Sequence, residues 1–299
     1  MAVPPMPKGA SKTRTASAMP SLYIVATPIG NLEDITLRAL RVLREVGLIA
    51  AEDTRVTRKL LERYEIHTPM TSYHEHNKLT KLPSLLATLQ QKDVALISDA
   101  GTPGINDPGY ELVRAAGTAG IPVTPIPGPS AVTSAVAISG ISVDMFIFLG
   151  FLPRKQTERR RLLESLAGEA PALVVLETPH RLRAALKDTL DTLGDRRIAV
   201  CRELTKLHEE VFRGTVSEAL GHFDSPRGEF TLVIEGNVEG MPAGSQGEAR
   251  ERLARLREEG LGARHSVAMV AGESGLTKRD VYRLWLEAEG ESTGKRKEK

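Results

Sequence analysis

An apolar run, Val94 to Ile97, breaks into Ser98-Asp99-Ala100-Gly101-Thr102-Pro103-Gly104-Ile105-Asn106-Asp107-Pro108-Gly109 and resumes as a helical pattern that stops near Gly120. A short strand with no polar position is one buried on both faces, the habit of parallel sheets covered by helices. The loop that follows is rich in glycine and proline, which lets backbone approach a ligand at the carboxyl end of such a strand. Asp107 and Pro108 read as the N-cap and first residue of the next helix. A second run, Ile121 to Ile126, passes into Pro127-Gly128-Pro129-Ser130-Ala131 and another helix, and the first, Leu22 to Thr27, ends in Pro28-Ile29-Gly30-Asn31-Leu32. For any one loop, tight turn-making explains the composition equally well. Three of them on one sheet edge would enclose a small-molecule pocket.

The same alternation extends through the first half. Candidate strands at Leu22–Thr27, Leu48–Ala51, Pro69–Tyr73, Val94–Ser98 and Ile121–Ile126 are separated by helical patterns at Asp34–Val46, Val56–Arg63, Lys78–Gln91 and Gly109–Ala119. This rhythm predicts an α/β domain over residues 21–143 with a parallel sheet. A second, mixed α/β domain is expected over residues 144–237, with strands at Ala172–Glu177, Arg197–Glu203, Glu210–Val216 and Glu229–Glu235 and a helix at His180–Leu193. Gly236–Gly247 reads as a linker. Residues 248–288 then form a small helical unit of helix–turn–helix type, with Thr277 and Asp280 at capping-box spacing, and 289–299 a polar tail.

Residues 1–20 contain Lys8, Lys12 and Arg14, no acid and no apolar segment, and read as a disordered basic tail. Ala115 to Val143 carries no charge, but four prolines within it argue for buried strand, loop and helix against a membrane span. A single cysteine, Cys201, allows no intrachain disulfide and fits a reducing cytoplasm. The net charge is only +2, so any nucleic-acid footprint has to be local. The P-loop, G-x-S-x-G and G-x-G-x-x-G motifs are missing and no His/Cys set has zinc spacing, so no metal site is expected.

The segment Val25-Ala26-Thr27-Pro28-Ile29-Gly30-Asn31-Leu32-Glu33-Asp34-Ile35-Thr36 closely resembles the opening signature of the ribosomal RNA small subunit methyltransferase I family. These are 16S rRNA cytidine 2′-O-methyltransferases of the tetrapyrrole methylase-like superfamily. Further matches follow in order: Ala51-Glu52-Asp53-Thr54-Arg55, Tyr73-His74-Glu75-His76-Asn77, Ser98–Gly109, Pro127–Ala131, Gly150–Lys155, Glu177–Arg181, Glu203–Lys206 and Gly228–Phe230. Asn106 departs from the pattern, which favours Ser there.

The resemblance implies two α/β domains of tetrapyrrole methylase-like architecture, with S-adenosylmethionine between them, in a homodimer acting on 16S rRNA within the small ribosomal subunit. Carried over residue by residue, it implies cofactor contacts from Pro28, Ile29 and Gly30, from Asp99, Gly101, Thr102 and Ile105, from Ser130 and Ala131, and, from the second domain, from Glu177, Thr178 and Pro179 and the Glu229–Phe230 region. The reaction expected is methylation of a decoding-region cytidine at its ribose 2′-hydroxyl. A neutral hydroxyl is a poor nucleophile, so a nearby base is sought. His74, Glu75, His76 and Asp53 are the catalytic candidates, and the residues leave open which of them, if any, serves. Arg55, Asn77, Arg154, Lys155 and Arg181 are the candidates for RNA, since phosphate contacts supply much of the affinity. Arg159, Arg160 and Arg161 extend the same basic run, and the C-terminal helices offer a second surface. The rival readings are a tetrapyrrole C-methyltransferase and a non-catalytic RNA-binding or assembly factor.

Overall fold

The strand–helix alternation of the first half closes into one parallel sheet. The computed structural model describes residues 19–237, 243–274 and 276–294. In it β1 (Leu22–Val25), β2 (Leu48–Ala51), β3 (Met70–Ser72), β4 (Val94–Ile97) and β5 (Val123–Ile126) lie in the order β3-β2-β4-β1-β5, every neighbouring pair parallel. Alternation along β4 explains its unbroken apolar character: Ala95 and Ile97 pack toward α1 (Leu37–Glu45) and α2 (Thr54–Arg63), while Val94 and Leu96 pack toward α3 (Lys78–Leu89) and α4 (Tyr110–Thr118). The loops after β4, β1 and β5 leave neighbouring strands and therefore emerge side by side.

α4 begins later than its sequence suggests. Gly109 is its N-cap, and Asp107 and Pro108 belong to the preceding loop. The Ser98–Pro108 segment has its own turns, with Gly101, Gly104 and Asn106 all at positive φ, and these carry it past the expected cap.

The second sheet has the order β6-β7-β10-β8-β9, from β6 (Phe146–Phe151), β7 (Ala172–Glu177), β8 (Arg197–Arg202), β9 (Glu210–Thr215) and β10 (Phe230–Ile234). Only β6 and β7 run parallel; the other pairs are antiparallel, so the sheet is mixed. Leu173, Val175, Val200 and Leu232 face a core built with α6 (Gln156–Ser165), α7 (Pro179–Leu193) and α8 (Val216–His222). The alternate residues Ala172, Val174, Ala199, Cys201 and Val233 face α5 (Ala131–Ile138), Ile29 and Leu204, all of which come from outside the sheet. Both sheets belong to one compact unit.

A second compact unit holds α9 (Ala243–Glu258), α10 (Ala263–Ser274) and α11 (Lys278–Gly294) around Leu253, Leu256, Val270, Val281, Leu284 and Trp285. The Arg257 guanidinium lies 4.3 Å from the Trp285 ring centre. Thr277 Oγ1 accepts from the Asp280 amide at 3.2 Å, as the capping spacing predicts. The helix begins earlier than the expected linker allows, at Ala243, and α11 runs on to Gly294. The middle of that linker, 238–242, and the extreme tails lie outside the described residues.

Candidate functional site

Thr27 and Gly101 join the loops after β1 and β4 by a reciprocal pair of backbone bonds, 2.8 Å from the Thr27 amide and 3.0 Å back from Gly101. The buried Thr27 hydroxyl adds a bond to the Ser98 carbonyl at 3.1 Å. Gly101 sits at φ +77°, a conformation open to glycine at no steric cost. Further along, Asn106 at φ +61° lays its amide over Gly150 on β6, itself at φ +65°. A Cβ at Gly150 would collide with Asn106 Nδ2, so the second sheet supplies a bare patch of backbone on which the loop is seated.

These loops enclose a cavity of about 330 Å³ between the two sheets, within the size range of small-molecule sites. Ile29, Val132, Phe148, Phe151, Leu176 and Phe230 make apolar walls, and Thr102, Ser130 and Thr178 present hydroxyls. Ser130 also caps α5 through the Thr133 amide. Cys201 faces the cavity as a thiol, since burial pushes it up to about 11.

Five carboxylates line the same space: Glu52, Asp99, Asp107, Glu177 and Glu229. Four carry a fixed donor. The Asp99 amide donates to Glu52 at 3.2 Å, and the Asp53 amide to Asp99 at 3.0 Å. Glu177 accepts from the Thr178 amide and pairs with Arg181 at 2.9 Å, and Glu229 pairs with Lys206 at 2.8 Å. Burial raises Glu52, Asp99 and Glu177 above the usual carboxylate range. It pushes Asp107 up to about 6, with repulsion from Glu52 and Asp99 adding to the effect and a hydrogen bond with Ser98 opposing it.

Of the residues expected to contact the cofactor, Ile29, Asp99, Gly101, Thr102, Ile105, Ser130, Ala131, Glu177 and Thr178 line this cavity. Pro28 and Gly30 do not. Pro28 is buried, and Gly30 packs against the 204–206 loop, where a Cβ would meet Lys206 and Thr205.

His74, Glu75, His76 and Asn77 form a turn after the edge strand β3 and are not part of the cavity wall. Asn77 holds that turn, accepting from the His74 amide at 2.8 Å and donating to Ser72 Oγ at 3.1 Å. Glu75 pairs with Lys78 at 2.8 Å. Asp53 caps α2 through the Arg55 amide and pairs with the Arg55 guanidinium at 2.6 Å, which holds its carboxyl well below the usual range. Through the Asp53–Asp99 bond this pair is tied to the cavity wall.

The basic run after Pro153 divides. Arg154, Lys155 and Arg161 are exposed, and Lys155 pairs with the exposed Glu158. Arg159 turns inward to Asp188 at 2.5 Å, both buried, and Arg160 bridges Asp188 and Asp191. Arg181 bonds Glu177 and the Leu152 carbonyl, so it props the cavity wall from behind.

Glu52, Asp107 and the ring walls Phe148 and Phe151 were not singled out as site residues from sequence, whereas Phe230 was and lines the cavity. Glu52 stood within a recognised motif beside Asp53, and the cap reading of Asp107 concealed it. Phe148 carried no local signal, because it is the β6–β7 pairing that brings it to the cavity.

Residues 21–220 match the family model for tetrapyrrole (corrin/porphyrin) methylases. Among curated proteins the chain is 48% identical over 275 residues to "Ribosomal RNA small subunit methyltransferase I" of a Synechocystis strain, an overlap of 90% of this chain and 99% of that one. It is 43% identical over 278 residues to the protein of that name in Escherichia coli O157:H7, covering 90% of this chain and 96% of the other. The Thermotoga maritima protein of that name is 53% identical over 221 residues, which is 99% of its length and 73% of this chain. No helix among the described residues is long and apolar enough to cross a membrane.

Proposed function

The chain belongs to the ribosomal RNA small subunit methyltransferase I family within the tetrapyrrole methylases, and on that premise we propose that it methylates 16S rRNA in the small ribosomal subunit, at the ribose 2′-hydroxyl of a decoding-region cytidine. It is a methyltransferase that uses S-adenosylmethionine, a reagent that supplies a methyl group activated on a sulfonium. The carrying observation is the composition of the cavity at the β4-β1-β5 edge: apolar walls, hydroxyls and carboxylates within about 330 Å³.

That composition suits the donor. Ile29, Phe148 and Leu176 offer apolar surface to a purine, while Thr102, Ser130 and Thr178 offer hydrogen bonds of either sense. Asp99 and Glu177 complement an ammonium or sulfonium charge. Gly101 keeps the loop backbone free of a side chain beside Ile29 and Pro129.

The residues' own work is positioning. The Thr27–Gly101 bridge and the Asn106–Gly150 seat hold the loops before any ligand arrives, so the ordering cost is met in folding. Arg55 at the rim and the exposed Arg154 and Lys155 are the groups we assign to RNA phosphates. A homodimer in the cytoplasm completes the proposal.

Transfer of labelled methyl to small subunits from a strain lacking the modification, followed by mass-spectrometric nucleoside mapping, tests it. A 2′-O-methylated cytidine at the decoding centre is expected. Donor binding with no labelled RNA would overturn the acceptor and favour a tetrapyrrole or another non-ribosomal one.

A further inference from the structure

We propose that Asp107 is the proton acceptor of the transfer, the carboxylate that takes the hydrogen of the attacking hydroxyl. The inference rests on the methyltransferase reading above and follows from the bonding of the cavity wall. Of its five carboxylates, Glu52 and Asp99 are each held by a backbone amide, Glu177 by an amide and Arg181, and Glu229 by Lys206. A carboxylate already accepting from a fixed or charged donor is a weaker base and is less free to turn. Among the described residues, no backbone amide and no cation engages the Asp107 carboxylate, and the buried Ser98 hydroxyl beside it also donates to the Ala100 carbonyl at 3.3 Å. It also stands on the loop that supplies Thr102 and Ile105 to the same cavity, and so faces the space a donor would occupy.

The histidines of the 73–77 turn do not compete for this role, because neither lines the cavity. His74 acts on the wall only at a distance, through its charge interaction with Glu52. The groups facing Asp107 are Glu52 from the end of β2, Asp99 from the loop after β4, and Ser98. Partial burial, with two acidic neighbours adding to it, makes its conjugate acid weaker than an ordinary carboxylic acid, which strengthens it as a base.

The step balances. The hydroxyl oxygen forms a bond to the methyl carbon as the carbon–sulfur bond breaks. Sulfur keeps the electron pair and becomes a neutral thioether, and the hydroxyl proton passes to the Asp107 carboxylate and from there to solvent.

The test compares full-length wild type, Asp107→Asn and Asp107→Glu in single-turnover methylation of unmodified small subunits on both sides of pH 6. Calorimetric affinity for S-adenosylmethionine is measured alongside. The wild-type rate is expected to rise through an inflection near 6. Asp107→Asn is expected to lose about 10²–10⁴ in rate together with that inflection, keeping its donor affinity, and Asp107→Glu to recover part of the rate. An Asn variant with the wild-type rate, or one that retains the inflection, would overturn the assignment. So would a loss of rate matched by lost donor affinity. No transfer by wild type would overturn the methyltransferase reading itself and this inference with it, whereas an active wild type leaves the variants to judge Asp107 alone.

Discussion

Thr27 and Gly101 exchange two backbone hydrogen bonds, at 2.8 and 3.0 Å, across loops that are far apart in the chain. The exchange depends on Gly101 holding φ +77°. A Cβ there would meet Ile29 only at 3.6 Å, an ordinary contact, so the cost of a side chain lies in the backbone. Gly101→Ala is expected to destabilise the protein by about 1–2 kcal/mol and to weaken donor binding. Thermal denaturation and calorimetry would check both, and an unchanged affinity would remove this loop from the binding site.

Gly150→Ala acts on the same loop from the other sheet. Its methyl would collide with the Asn106 amide and push the loop off its seat. Donor affinity is expected to fall by at least about tenfold, a cost of roughly 1.4 kcal/mol. Adding Asn106→Ser should restore part of it, giving a coupling energy in a double-mutant cycle. Strictly additive effects would show that the two residues do not act through contact.

Asp107 makes stability depend on pH in an unusual sense. Its carboxyl is pushed up to about 6 in the folded chain, against about 3.9 when unfolded. Between those values the native state binds more protons than the unfolded state, so stability falls as pH rises through the window and stays lowered above it. Asp107→Asn is therefore expected to melt higher than wild type at neutral pH, the two converging below about pH 4. A variant less stable at neutral pH would rule out burial and acidic neighbours as the source of the shift.

Asp188 is expected to be the most sensitive position in the second sheet's helical layer. It is 1% exposed and accepts from Gln156, Arg159 and Arg160. Asp188→Ala leaves the Arg159 charge buried without its partner, which costs about 3–5 kcal/mol. Denaturant unfolding would show this as a lowered midpoint, and a loss below about 1 kcal/mol would mean that Arg159 finds water or another acceptor.

Arg154 and Lys155 are exposed beside a run whose other members are partly committed to Asp188 and Asp191. Replacing both by Glu is expected to weaken binding to small subunits and flatten its dependence on salt, since each lost phosphate contact lowers the slope by about one. Donor affinity should not change. Unaltered subunit binding would place the RNA on another face.

Much of the fold was legible because the physics was local. Leu48–Ala51 and Ala172–Glu177 were readable to the residue, as short apolar runs closed by turns. The start of α4 was not, because Asp107-Pro108 has the composition of a helix cap while the loop before it uses its glycines for extra turns. For the site, the glycine and proline loops pointed to the β4-β1-β5 edge. The carboxylates that matter chemically were harder to see, since an acidic residue's role depends on which amides and cations reach it. Glu177 and Asp107 look alike in the sequence, yet Arg181 and a backbone amide engage one and a single hydroxyl the other. The basic run misled for the same reason: Arg159 is a core residue by virtue of Asp188, which lies in another helix.

α5 contributes Ala131, Val132, Ala135 and Val136 to the face of the second sheet, although it follows directly from the last strand of the first. A helix wedged in this way fuses the back of the cleft. Separating the two sheets would expose that shared core. Exchange of fresh for spent donor is then a matter for the open side of the cavity, which the 99–107 segment borders.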